Sequence, residues 1–199
     1  YDPQEFPEPR TISPNVKFSL EGRILLDAFE SVDFAIGTDE ERYILMGVFI
    51  KGEEDKLTFV ATDGYRMAIR RLQTPGIPFF NGFILPSKTV RELERIIVND
   101  DIVHVEVDGQ SVSFATSKVR VVSRIVEGKY PDYEAAIPRH NRLVVKMDKE
   151  ALHRGLKRVS IMISKNEPLL LKVSEGTVEV SSESEQGTAK EVILAKRRS

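Results

Sequence analysis

The order of apolar and polar residues along this chain restarts twice. Residues 16–20 alternate as a short strand. Ile24, Leu25, Ala28, Phe29 and Val32 then recur at the spacing of one helix face. Strands are expected over 43–51, 56–62 and 66–72, separated by the polar turns Gly52-Glu53-Glu54-Asp55 and Asp63-Gly64. The second pass starts with a strand over 83–86. Ser87 is placed to cap a helix over 89–98, with Val90, Leu93, Ile96 and Ile97 inward. Strands over 102–107, 111–115 and 119–126 follow, with Asp108-Gly109 as a hairpin turn. The third pass has a strand over 143–147. Asp148 then caps a helix whose apolar face is Leu152, Leu156, Val159 and Ile163. Strands over 169–173, 177–181 and 189–194 complete it, with a turn at Glu175-Gly176.

The pattern therefore predicts three copies of one β-α-β-β-β repeat and an α+β fold. Leu25, Phe29 and Val32 correspond to Leu152, Leu156 and Val159 at a constant spacing of 127 residues, which marks an internal repeat. One helix on a half-covered sheet cannot bury its own apolar face, so two repeats are expected to pair. The expected product has helices on one face of a continuous antiparallel sheet. Residues 1–15, with four prolines, read as a linker or arm. Residues 16–138 then read as a complete domain, and 139–199 as half of another.

Composition narrows the chemistry. Among 199 residues, 29 are Lys or Arg and 31 are Asp or Glu, giving a formal net charge of −2. Near-neutrality argues against tight wrapping of DNA but does not exclude a locally basic face. No cysteine is present, which removes disulfides and thiolate chemistry and fits a reducing cytoplasm. No apolar run reaches the length of a membrane span. The chain starts at Tyr1 rather than Met, as expected of a processed product or a piece of something longer. The signatures GxSxG, GxGxxG, HExxH and the phosphate-binding glycine loop are missing. His104, His140 and His153 are not at ligand spacing. No catalytic residue, metal or cofactor is expected. Asp63 reads as a turn residue between two apolar strands.

Two segments carry more information. Residues 56–72 (KLTFVATDGYRMAIRRL) place an aromatic and a base just after a tight turn, and residues 128–138 (GKYPDYEAAIP) form a proline-anchored connector. Together with the repeat they resemble the bacterial sliding clamp, the beta subunit of DNA polymerase III, over nearly the whole chain. By this resemblance 1–138 correspond to the middle domain and 142–194 to the first half of the last, whereas 195–199 do not look like the family's continuation. The family is a non-catalytic processivity factor of the bacterial cytoplasm, associated with the nucleoid. Its full-length form closes head to tail as a homodimer around duplex DNA. It docks the polymerase III catalytic subunit, the clamp loader and other proteins through a short peptide.

Carried over by motif, the resemblance implies a peptide groove from Leu45, Thr62, Gly64, Tyr65, Arg66, Met67, Pro131, Ala135 and Ala136. It places Arg23, Tyr43, Lys88, Arg91, Arg95, Arg154, Lys157 and Arg158 toward DNA, touching phosphates without reading bases. Family members often carry His in place of Tyr65, and larger residues in place of Ala135-Ala136, so the wall here is expected to be shallower or wider. Read without the resemblance, the basic helix stripes are ordinary solvated faces and Leu45 and Met67 are core. A competing function is a peptide-binding adaptor that never encircles DNA.

Overall fold

The computed structural model describes residues 12–139, 141, 143–163, 168–184 and 187–198. It divides into two compact units, Tyr1–Pro131 and Asp132–Ser199, parting earlier than the boundary expected after residue 138. The expected arm over 1–15 lies outside the described residues up to position 11, and so does His140. Ile12 is already buried.

In the first unit the elements follow the periodicity. β1 (Val16–Glu21) leads into α1 (Gly22–Glu30), and β2 (Gly47–Glu53), β3 (Lys56–Thr62) and β4 (Met67–Gln73) complete the first repeat. The second repeat is β5 (Phe80–Pro86), α2 (Ser87–Ile96), β6 (Ile102–Val107), β7 (Ser111–Ala115) and β8 (Arg120–Arg124).

Two local expectations change. The strand expected over 43–51 starts only at Gly47, because Glu40–Leu45 is a 3-10 segment opened by the Asp39 carboxylate, which accepts a hydrogen bond from Glu41 N–H. Ser87 is not the cap of α2 but its first residue. Pro86, held extended at φ −57° and ψ 142°, takes the cap position without a side-chain bond. The Ser87 hydroxyl instead meets the Arg91 guanidinium.

The strands sort into two antiparallel four-stranded sheets, ordered β1-β6-β7-β8 and β4-β3-β2-β5. The repeats exchange their first strands. β1 of the first repeat pairs with β6 of the second, with Phe18 opposite Val105. β5 of the second pairs with β2 of the first, with Phe83 opposite Ile50. A single bridge between Ile84 and Val126 links β5 to the segment after β8, so the sheet expected to be continuous is two sheets stitched at one point. Between α1, α2 and both sheets lies one core, including Leu25, Phe29, Phe59, Val90, Leu93, Val103 and Phe114. The Phe29 and Phe59 rings meet edge to face at 5.7 Å.

The second unit is one repeat: β9 (Val144–Met147), α3 (Lys149–Val159), β10 (Leu170–Ser174), β11 (Thr177–Ser184) and β12 (Gly187–Arg198). As expected, Asp148 caps α3, accepting from Ala151 N–H at 2.8 Å. The sheet order is β10-β11-β12-β9. β12 outruns the expected 189–194, and Ala195–Arg198 pair with β9. Its core is small, with Val159, Val180 and Ile193 buried and Leu152, Leu156 and Met147 packed beside them.

Candidate partner-binding turn and basic helix faces

The turn at 62–66 is built almost entirely from its own residues. Thr62 Oγ1 donates to Arg66 O at 2.7 Å and accepts from Gly64 N–H at 3.0 Å. The Asp63 carboxylate accepts from Tyr65 N–H at 2.9 Å and Arg66 N–H at 3.0 Å, and from Arg66 Nε at 3.1 Å. Those backbone donors, Arg66 first and Tyr65 second, hold the Asp63 carboxyl below the usual carboxylate range. Its bonding marks Asp63 as a turn-former. Gly64 sits at φ +89°, and a Cβ there would come within 2.7 Å of Arg42 Nη1. Glycine is thus required by backbone and by space.

This local bonding turns the following side chains outward. Tyr65 is 89% exposed, Arg66 is exposed, and Met67 and Thr62 are half-buried. Leu45 is buried and its carbonyl accepts from Gly37 N–H, so it belongs mainly to the packing beneath the turn. Pro131 is exposed at the end of the first unit. Ala135 and Ala136 are exposed in the second, where Ala135 N–H donates to the Asp132 carboxylate at 3.3 Å.

Sequence reasoning missed several supports of this turn. Arg42 lies across it: Nε donates to Asp39 at 3.1 Å, Nη1 donates to the Asp63 carbonyl at 3.4 Å, and the guanidinium is 5.7 Å from the Tyr65 ring centre. Contact with Tyr65 and then Asp39 holds that guanidinium protonated more firmly than usual. Phe34, itself exposed, stands 5.8 Å from the Arg66 guanidinium. The only sequence signal was the Asp39/Arg42 spacing, which suits a turn of 3-10 helix. Tyr130, just before Pro131, is buried and stacks on Phe49 at 4.8 Å. Its hydroxyl makes no hydrogen bond of ordinary geometry. Burial pushes the phenol up to about 12, against a weaker pull from the Thr62 backbone.

The basic residues expected to face DNA are all exposed, but their partners differ. Arg23 meets Glu21 at 3.3 Å, Arg95 meets Glu92 at 3.4 Å, and Arg158 donates through Nε and Nη2 to Glu191. Arg91 turns back on Ser87. Among the described residues, Lys88, Arg154 and Lys157 have no such ion pair. Tyr43 stands apart from the helix stripes, in the 3-10 segment with its hydroxyl near Gly128. Among the described residues no cluster of His, Asp or Glu could hold a metal ion, and no helix is long and apolar enough to cross a membrane.

Comparison with known proteins now adds to this geometry. Residues 19–132 match the DNA polymerase III beta subunit central domain family. The beta sliding clamp of Staphylococcus aureus is 30% identical over 198 residues, covering 98% of this chain and 52% of that protein. A Pseudomonas aeruginosa sliding clamp crystallised with a ligand superposes with a TM-score of 0.94 at 26% identity, over 100% of this chain and 56% of that one. A Bartonella birtlesii clamp bound to griselimycin gives 0.89 at 27% identity, over 99% and 55%. The chain spans about half the length of the relatives it matches.

Proposed function

The chain belongs to the DNA polymerase III beta subunit family, and from that premise we propose that it acts as a segment of a sliding clamp, holding partner proteins at the 62–67 turn. The observation that carries this reading is the turn itself. Its backbone is fixed by Thr62 and Asp63, while Tyr65 and Arg66 are delivered to solvent and Met67 stands half-buried beside them. A pre-formed surface binds a short peptide without the entropy of ordering a loop. Met67 adapts to varied apolar side chains, and Arg66 offers a charged donor to a carbonyl or carboxylate. Leu45, Thr62 and Gly64 form the support beneath it. The occupants are the polymerase III catalytic subunit, the clamp loader and other proteins with the same short motif.

The complete clamp is non-catalytic. It tethers by topology, since a closed ring cannot leave duplex DNA sideways. In the full-length form two subunits close head to tail, in the cytoplasm at the nucleoid. Lys88, Arg91, Arg95, Arg154, Lys157 and Arg158, with Arg23 and Tyr43, face the duplex. The internal pairing of Arg23, Arg95 and Arg158 suits loose contact with phosphates, because an arginine already neutralised grips DNA weakly.

The test is titration of a short apolar peptide from a bacterial polymerase III catalytic subunit against native chain, Arg66→Ala and Met67→Asp. Each variant is expected to weaken binding by about 1–3 kcal/mol, the range of a central interface residue, without loss of fold. Unchanged affinity in both removes the groove assignment. For DNA, Lys88, Arg91 and Arg95 replaced together by Ala should lower the log–log salt slope by roughly 1–3. Equal slopes remove that face from the DNA contact.

A further inference from the structure

Alternation along β2, β3 and β5 turns Val48, Ile50, Phe59 and Leu85 into the core beneath the helices. Phe49, Val60 and Ile84 therefore face the other side of the sheet, where Phe49 stands opposite Val60 in β3 and opposite Ile84 in β5. Val60 and Ile84 are almost wholly buried all the same. The segment after β8 crosses this face. Val126 N–H donates to the Ile84 carbonyl at 2.9 Å, and the Tyr130 ring then lies flat on Phe49, 4.8 Å between centres and 7° between planes. Glu127, Gly128, Lys129 and Pro131 are exposed, so Tyr130 is the one side chain of 127–131 that the segment inserts.

Phe49 has no room to yield to it. A Cβ on Gly82, at φ +98°, would stand 2.4 Å from Phe49 Cζ, so the Phe49 ring is held between the Gly82 backbone and Tyr130. The hydroxyl end of Tyr130 is buried beside the Thr62 backbone. Thr62 forms the last pair of the β3–β4 ladder, opposite Met67. Its own hydroxyl closes the turn through Gly64 N–H and the Arg66 carbonyl. Between its two anchors the same segment passes over the 3-10 segment, where the Cβ position of Gly128 is 3.1 Å from Ile44 Cδ1. That is the segment from which Arg42 reaches the Asp63 carbonyl.

We infer that Tyr130 is a positioning residue for partner binding: its stack on Phe49 fixes the base of the 62–67 turn in the shape that holds the peptide. This role rests on the turn being the partner site, and it adds a residue outside the turn that acts through Phe49 and Thr62. A base held in this way lets the peptide bind without first ordering the turn.

The test uses the 199-residue chain and the polymerase III peptide. Tyr130→Leu keeps an apolar side chain but loses the flat stack and the reach to Thr62. It should weaken the peptide about tenfold. In the free chain it should also speed amide exchange at Gly64, Tyr65 and Arg66 and leave β6 and β7 unchanged. Tyr130→Phe removes only a buried hydroxyl without a hydrogen bond, and should bind within about twofold of the native chain. Phe49→Leu should reproduce the loss, and the double variant Phe49→Leu, Tyr130→Leu should be no weaker than either alone, since each removes the same stack. Native affinity in Tyr130→Leu beside a weakened Arg66→Ala overturns the positioning role and leaves the partner site standing. Losses that add in the double variant, or faster exchange throughout the first unit, overturn it too, because they report general loosening. Native affinity in both Arg66→Ala and Met67→Asp removes the partner site and this role with it. Circular dichroism checks each fold, and should Tyr130→Leu not fold, Phe49→Leu decides by the same affinity and exchange criteria.

Discussion

Leu25 and Leu152 occupy the same place in two copies of one pattern, as do Phe29 and Leu156, but their surroundings differ. In the first unit a second repeat lies over the helix, and Leu25 and Phe29 are almost wholly buried. In the second unit the same positions are only partly covered. The repeats carry similar local signals, so the difference is tertiary. A β-α-β-β-β repeat buries its helix face fully where another repeat supplies a strand and a helix, and keeps only a small core where none is packed on it. Burial per residue, and with it stability, should follow the number of repeats that meet.

The largest expected effect tests this at matched positions. Phe29→Ala should cost about 3–5 kcal/mol, as for a fully enclosed aromatic. Leu156→Ala should cost about 1–2 kcal/mol, because its site already opens to solvent. Urea unfolding followed separately in each unit measures both, and equal costs would break the comparison. A smaller effect concerns the second unit's own polar bracing. Ser182 Oγ is buried and donates to the Val159 carbonyl at 3.1 Å. Ser182→Ala should cost about 1 kcal/mol, and no measurable loss would show that α3 is held by apolar contact alone.

The smallest effect is electrostatic. In the first unit Glu53 is held at about 2 by Lys51 and then Lys56. Its folded value lies below its ordinary 4.5. Its contribution is therefore fully present above pH 4.5 and is lost as pH falls from 4.5 toward 2. In the second unit Glu191 is lowered in the same direction by Arg158. Both pairs are partly open to solvent, which screens them, so both contributions are small. Lys51→Met should flatten the acid limb of the first unit's unfolding curve, and Arg158→Met that of the second. An unchanged limb in either case would show that the pair contributes nothing there.

Much of this was legible in the sequence. The periodicity gave the number and order of the repeats, and β3, β6 and β7 lie where the apolar alternation ends in polar turns. The exchange of β1 and β5 was not legible, because strand pairing at long separation leaves no mark in local periodicity. The 3-10 segment before β2 was hidden because Tyr43, Ile44 and Leu45 read as strand formers, while the Asp39 cap decides the backbone. At the turn, Thr62 to Met67 could be found by motif and turn chemistry. Arg42 and Phe34 could not, since their role comes from folding 33–42 against a turn some twenty residues on.

The central claim is that a partner segment is held at the 62–67 turn of the first unit. Amide hydrogen exchange on the 199-residue chain, with and without the polymerase III peptide, tests it most directly. The account predicts added protection at the amides of Tyr65, Arg66 and Met67, and little change in β10. Protection confined to the second unit, or none at the turn under saturating peptide, would contradict it.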